Sequence, residues 1–540
     1  MNRRRFIQSA AAGSAGPIAA SSLPALAQDA KRETLVVANE FGPNSLDIHG
    51  VGANRPAYAI AVNAYDRLMT FGRKKLADGT MSYDYSKLEP ELAESWQVGK
   101  DGQSVVFKLR KDATFHDGSP VTARDVKWSY DRALGMGGFP QFQMRAGSLN
   151  DAKQFIVVDD HTFRVELDRR DKMAMPNMAV PVPSIYNSTL ARKHATSEDP
   201  WAANWLRTNT AGGGAFRVEA WRPGQELIYA RFDKWRSGPL PRLRRIVQRE
   251  VPSAGNRRAL LARGDIDMTY ELPPKDFQEM SKEGGAVRVV STPVENALFY
   301  IGMNSARPPF NNPLVRQAVA WAMPYDRLMD IAFWGRGVKM WGAKSNTPAA
   351  AVWPQPTGYS TNIPRARELM KQAGVPDGFE TTLSFDLGTA TVSEPASILI
   401  QESLALIGIK VSINKVPGAN WRAALLKKDM PLIFNRFGGW LNFPEYFFYW
   451  CYHGQNAVFN TMSYQSKPMD ALIDAARMAA ATGDTTTYDQ SVKGFVDLAF
   501  TDIPRIPLYQ PYVNVAMQPN ISGYQYWFHR RLDYRGLVKG

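Results

Sequence analysis

Between Arg436 and Gly454 the chain reads RFGGWLNFPEYFFYWCYHG, which sets an arginine, an asparagine and a glutamate among closely spaced rings. The chemistry this composition offers is recognition. Adjacent Gly438 and Gly439 let backbone approach a bound molecule, and flat side chains supply walls. The preceding stretch, Met430–Asn435, reads as a short buried strand opened by a proline. The aromatic run therefore begins where a strand ends, the usual place for a ligand crevice in an open α/β sheet. Five consecutive rings, Tyr446 to Trp450, cannot all face one cavity, so most of them are assigned to a core. Trp440 and Asn442, beside the glycines, are the candidates for contact with a ligand.

Catalytic patterns are missing. The six histidines are scattered, with none of the His-x-x-x-His or His-Glu-x-x-His spacings that hold zinc. There is no Gly-x-Ser-x-Gly elbow and no Walker loop. The glycine run Gly212–Gly214 is followed by a strand, whereas a phosphate loop must open a helix. His116-Asp117-Gly118 has a full explanation as a turn. Asp265 and Asp267 alternate with Ile266 and Met268, as expected of a strand with one solvent face. The chain is read as non-enzymatic, with no cofactor and no metal; an exported hydrolase using cleft carboxylates is the rival from another class. The single cysteine, Cys451, excludes an intrachain disulfide and reads as a small buried hydrophobe.

The N-terminus reads as a targeting segment. Asn2-Arg3-Arg4-Arg5-Phe6-Ile7-Gln8 resembles a twin-arginine export signal, a weakly apolar run follows, and Ala25-Leu26-Ala27 is a small-x-small cleavage site. Cleavage after Ala27 removes three arginines and no acids, leaving a net charge of (65 − 3) − 51 = +11. The densest basic region, Arg236 to Arg263, lacks an interleaved aromatic ladder and reads as a solvated face, so no nucleic-acid partner is expected; polyanion binding through this face is a further alternative. At 540 residues the chain exceeds one compact core.

The elements expected to position the aromatic run alternate helix and strand. Thr34–Ala38 and Ser104–Leu109 read as strands, and Ala57–Met69 as a helix followed by a polar loop to about residue 85. Thr122–Asp125 resembles a capping box, and Lys153–Val158 with Thr162–Leu167 reads as a hairpin. From Leu298 onward the alternation continues: helices over Asn312–Met323, Pro364–Ala373, Pro395–Ile407, Met469–Ala480 and Tyr488–Phe500, and strands over Thr381–Phe385, Ile409–Ile413 and Ile506–Met517. This is an α/β pattern.

Several blocks in order resemble the family 5 solute-binding proteins of bacterial ABC importers, of the dipeptide- and oligopeptide-binding type. They are Leu92–Trp96 running to Phe115–Val126, Gly213–Val218 with Trp221–Gly224, Asn304–Ala320, Ala366–Phe379 and Ile407–Val411. The resemblance implies a two-lobed periplasmic-binding-protein fold. A first lobe would span 28–296 with an extra subdomain at about 75–205, a second lobe 297–508, and residues 509–540 would return to the first. Hinges would fall near 295–299 and 508–513. A peptide or peptide-like solute would be captured between the lobes in the periplasm and delivered by a monomer to an inner-membrane permease. An oligosaccharide or opine-type ligand is the alternative. In the oligopeptide binders the segment matching Arg436–Glu445 carries an arginine that meets the peptide carboxylate, which Arg436 matches. It also carries an aspartate that pairs with the amino terminus; here Asn442 stands at that position, with Glu445 nearby. Gly439 and Trp440 lie within the same segment. The loop Gly52–Arg55 matches the family's ligand loop, adding Asn54 and Arg55.

Overall fold

The computed structural model describes residues 32–540 except 51, 283–285, 457–458 and 528–532. The twin-arginine segment and its cleavage site lie outside the described residues. Twelve strands form the main sheet: β1 (Thr34–Asn39), β2 (Phe216–Arg222), β3 (Glu226–Arg231), β4 (Arg245–Glu250), β5 (Met268–Thr269), β6 (Arg288–Pro293), β7 (Ala297–Met303), β8 (Gly337–Lys339), β9 (Phe379–Asp386), β10 (Ile409–Val416), β11 (Leu432–Gly438) and β12 (Arg505–Met517). Their order is β10-β9-β11-β7-β12-β5-β1-β4-β3-β2, with β6 and β8 also paired to β12.

The long strand β12 spans the molecule. Its first half, Arg505 to Tyr509, pairs antiparallel with Gly302 to Phe299 of β7, and its second half, Tyr512 to Met517, pairs with Pro293 to Arg288 of β6. Two large hydrophobic cores pack about the sheet, the second of them reaching from Leu35 across to Ile433 and Phe495. One gathers Ile301, Val319, Leu383, Ile400 and Phe434; the other gathers Leu35, Ile60, Tyr229, Ile246 and Met517. A separate four-stranded antiparallel sheet is built from Ala93–Val98, Ser104–Leu109, Thr162–Glu166 and Phe155–Asp159. The helix Ala123–Gly135 packs on it, and its first turn is held as the capping pattern implied: the Asp125 carboxylate accepts the Thr122 backbone N–H at 2.9 Å.

Several local expectations are corrected. The helix expected over Ala57–Met69 runs Arg55–Ala64 and ends where Tyr65 turns extended (φ −128°, ψ 152°). The loop expected after it is a hairpin, Met69–Lys75 with Met81–Pro90. The helix expected from Pro395 starts at Ala390 and carries the proline inside, as its sixth residue, where the missing N–H forfeits one intrahelical hydrogen bond. Asp267 does not face solvent: it accepts the Val36 N–H at 2.7 Å and pairs with Lys539 at 2.8 Å.

The glycine run is structural through close approach. A Cβ on Gly212 would stand 1.9 Å from the Ala64 carbonyl oxygen, and one on Gly214 would stand 2.5 Å from the Tyr65 backbone nitrogen. Backbone cannot yield as a flexible side chain can, so Gly212→Ala is expected to cost about 3 kcal/mol of stability, at the upper end of overpacking, in urea denaturation.

Beside this run the loop 45–49 is pinned by a buried ion pair, Arg132 to Asp47 at 2.6 Å, with the Tyr186 hydroxyl donating to the same carboxylate at 2.9 Å. His49 lies against it, and its Nε2–H donates to the Val182 carbonyl at 2.6 Å. Burial first, then the Arg132 charge, pushes the imidazole pKa down from 6.5 to about 4. Between those values the unfolded chain takes a proton that the folded chain refuses, so stability falls as pH drops through this window. His49→Gln is expected to flatten the stability–pH curve between pH 6.5 and 4 by about 1.4 kcal/mol per pH unit relative to the parent, read from urea melts at each pH.

Candidate ligand-binding cleft

β11 delivers the aromatic segment to the cleft. Its interior residues Leu432, Ile433 and Phe434 are buried and fix its register against β7, with Arg436 opposite Phe299 and Gly438 opposite Ala297. Immediately after the strand, the Gly439 N–H donates to the Asn296 carbonyl at 3.0 Å, and the Asn296 carboxamide donates back to the Gly439 carbonyl at 2.7 Å. A Cβ at Gly439 would meet Tyr446 Cε1 at 2.9 Å and the Leu441 carbonyl at 3.1 Å. The turn is therefore clamped to the 294–296 crossover, and only glycine fits without displacing the Tyr446 ring.

Three adjoining chambers open along this edge, and Arg55 and Arg436 line all of them. The largest holds about 1040 Å³ of empty space, part of it open to solvent. Its wall includes a stack of rings from β7, β12 and the segment ahead of β8: Phe333 on Tyr509 at 3.8 Å between centroids and Phe299 on Tyr509 at 4.9 Å. The Arg436 guanidinium stands 5.9 Å from the Phe299 ring. Arg55 opens the helix Arg55–Ala64, with Pro56 behind it. A cation at a helix N-terminus works against the helix dipole by roughly 0.3–1 kcal/mol, a local cost that a bound anion would relieve.

The same chamber carries charges that sequence reasoning missed. Glu40 follows β1, and its N–H donates to Glu271 Oε2 at 2.6 Å. Burial first, then the Glu271 charge, holds the Glu40 carboxyl above the ordinary range. Arg257, expected on a solvated basic face, is buried instead and lines the chamber; its Nε donates to the Glu271 carbonyl at 3.1 Å. Its neighbours fit the surface expectation better: Arg244, Arg245, Arg258 and Arg263 pair with Glu33, Glu219, Asp276 and Asp265. Arg336, ahead of β8, donates to Ser291 Oγ at 2.7 Å and to the Phe277 carbonyl at 3.0 Å, tying β8 to the β6 side of the cleft.

The other named candidates divide. Trp440 lines the third chamber although it is almost wholly buried, packing edge-on to Tyr58 at 5.3 Å and to Phe139 at 5.1 Å. Asn54 contacts its own loop: its carboxamide donates to the Gly42 carbonyl at 3.0 Å, and its N–H donates to Asn44 Oδ1 at 2.9 Å. Asn442 lines none of the three chambers. The expectation that Glu445 could meet a ligand amine does not fit. Its fully buried carboxylate lies 2.6 Å from Lys172 Nζ and accepts the Tyr488 hydroxyl at 2.8 Å. Most of the following rings are core, as expected: Tyr446, Phe447, Phe448 and Trp450 are buried on the helix Pro444–Cys451. Cys451 is buried among them, and burial pushes its thiol pKa up to about 11. Among the described residues no group of three His, Cys, Asp or Glu side chains could hold a metal ion, and no helix is long and apolar enough to cross a membrane.

Two cored lobes joined by strands, with an arginine-lined cleft where the strands cross, define a solute-binding protein of the two-lobed periplasmic type. Solved structures share this architecture: the periplasmic binding protein DppA from Helicobacter pylori, in complex with the peptide STSA, superposes with a TM-score of 0.78 at 24% identity, over 94% of this chain and 98% of that one. The profile of the bacterial extracellular solute-binding proteins, family 5, matches residues 87–459, and the chain belongs to that family. It is 25% identical over 525 residues, 94% of each chain, to the probable D,D-dipeptide-binding periplasmic protein DdpA of Escherichia coli K12. It is 29% identical over 364 residues, 67% of each chain, to the glutathione-binding protein GsiB of Pectobacterium atrosepticum.

Proposed function

We propose that this protein is the periplasmic substrate-binding component of an ABC importer and that it captures short peptides. The observation that carries the reading is the convergence of Arg55, from the first lobe, and Arg436, from the second, on one cleft that also holds Glu40 and Glu271. A zwitterionic peptide presents both signs of charge, and an arginine fork is the side chain best matched to its carboxylate. Family membership and the peptide ligands named for the relatives support the same class. Arg55, Arg436, Gly439 and Trp440 are the proposed contacts; Asn54 holds the loop that carries Arg55.

The crossover at 294–296 and the change of partner in β12 between Tyr509 and Tyr512 are the proposed hinges. Closure over a ligand follows from its higher affinity for the closed form, and the closed monomer docks on an inner-membrane permease. The segment Asn2–Gln8 supports export by the twin-arginine route. The test is calorimetric titration of the mature protein, purified without denaturation, with di- and tripeptides and with a neutral oligosaccharide. Saturable peptide heat with none from the sugar is expected; the reverse result would sink the proposal.

A further inference from the structure

One face of the main sheet carries charge out of proportion to its size. Residues 217–249 hold nine basic and three acidic side chains, 9 − 3 = +6, about two-fifths of the chain's net +14 within 33 residues. Strand register gathers much of it. Ala230 of β3 stands opposite Arg217 of β2 and Arg245 of β4, and Glu226 stands opposite Arg222 and Arg249. Residues directly opposite in an antiparallel ladder share a face. Arg217 and Arg222 are five positions apart, and the bulge between Val218 and Ala220 supplies the extra residue that returns both to that face. The opposite face is core, with Phe216, Leu227, Tyr229 and Ile246 buried.

Arg217, Arg222, Arg245 and Arg249 are all exposed. They frame an area two strand spacings wide, about 10 Å, and four residues long, about 13 Å. No single small anion spans such a frame. Arg245 pairs with Glu219 at 3.0 Å and Arg222 with Glu226, surface pairs that a competing anion displaces at little cost. Arg217 and Arg249 make no ion pair among the described residues. The connection from β3 to β4 adds exposed Lys234, Arg236 and Arg242 at the Arg217–Arg245 end. None of the four framing arginines lines the chambers of the cleft, so the frame is open surface. A protein partner would need an aromatic or aliphatic anchor at the centre. The middle row here is Val247, Ile228 and Ala220, with Ile228 buried. We infer that this face docks the protein on a membrane surface through the phosphates of anionic phospholipid headgroups. Guanidinium matches phosphate in geometry and charge, and phosphates arrayed in a plane meet all four corners at once. Such docking holds a loaded carrier at the bilayer, where encounters with the permease become a search in two dimensions.

The test is sedimentation of the full mature chain with vesicles of phosphatidylglycerol and phosphatidylcholine in equal parts, set against vesicles of phosphatidylcholine alone. Binding to the anionic vesicles only is expected, and it should vanish in 1 M salt, where the screening length falls to about 3 Å. Arg217→Gln with Arg249→Gln should weaken that binding roughly 30-fold. Arg365→Gln with Lys371→Gln removes the same charge from the helix Ile363–Gln372, which packs on the other core, and should leave binding unchanged. All four side chains are exposed, so both variants should keep the urea melt of the parent. Equal losses from the two variants would show that net charge alone binds, and they overturn the assignment of this face. Equal binding to neutral vesicles overturns the phosphate contact. No binding to anionic vesicles overturns the proposal and leaves the face to an acidic protein partner.

Discussion

Alanine at both Arg55 and Arg436 is expected to weaken binding of a free-acid tripeptide by about a hundred- to a thousandfold. Hydrogen bonds to a charged group contribute roughly 1.5–3 kcal/mol each, so either single change should cost about 10- to 100-fold. The double change should fall short of the product. Two guanidiniums lining one chamber repel each other, so removing one improves the site for its neighbour before any ligand arrives. The decisive control lies on the ligand. A tripeptide carrying a carboxamide in place of its terminal carboxylate should already bind the parent weakly and lose little more on the double variant. Calorimetry of this two-by-two set isolates the arginine–carboxylate interaction from any general damage. Equal affinity of the parent for acid and amide would remove the assignment outright. The expected folding cost is small, since Arg55 opposes the dipole of its own helix.

What the sequence disclosed about this cleft was local. The strand β11 could be located because its apolar run, its opening proline and its closing glycines lie within ten residues of one another. The crevice at its end followed from the general geometry of α/β sheets. A core was legible in the same way, through the unbroken apolar run Leu298–Met303 and the helix read over Asn312–Met323, which pack into one cluster.

What stayed hidden depends on partners far away in the chain. Glu40 meets Glu271 across 231 positions, and no periodicity marks either as a cleft residue. Asp267 reads as solvent-facing by alternation, yet Lys539, from the last strand of the chain, covers it. Glu445 looked available because it stands beside the ligand segment, but the helix starting at Pro444 turns its carboxylate onto Lys172 and Tyr488. Phe139 and Arg422, 5.6 Å apart on the wall of the third chamber, come from segments 283 residues apart and carry no motif. Only the fold places them together.

The largest expected loss of stability comes from a single carboxylate outside the cleft. Glu91 is 1% exposed and accepts from Arg67 Nη2 at 2.7 Å and Arg67 Nε at 3.1 Å; Arg535 Nη1 reaches it at 2.8 Å. It joins the segment after the helix Arg55–Ala64 to the C-terminal return of the chain. Glu91→Ala is expected to cost about 3–5 kcal/mol, because it leaves buried guanidinium charge without its counter-ion. The exposed pair Lys410–Glu380 sets the contrast: at 80% and 82% exposure its removal should cost no more than about 0.5 kcal/mol. Asp66 modifies the outcome. Its carboxyl pKa is pushed up to about 7 by burial and then by the Glu91 charge. Removing Glu91 lowers that pKa, so Asp66 can ionise and take over part of the counter-charge. That relief is present above the lowered Asp66 pKa and lost as pH falls through it. The deficit of Glu91→Ala should therefore be smaller at pH 8 than at pH 5, measured by urea denaturation with the parent at each pH. A deficit that does not change with pH would show that Asp66 takes no part in the cluster's charge balance.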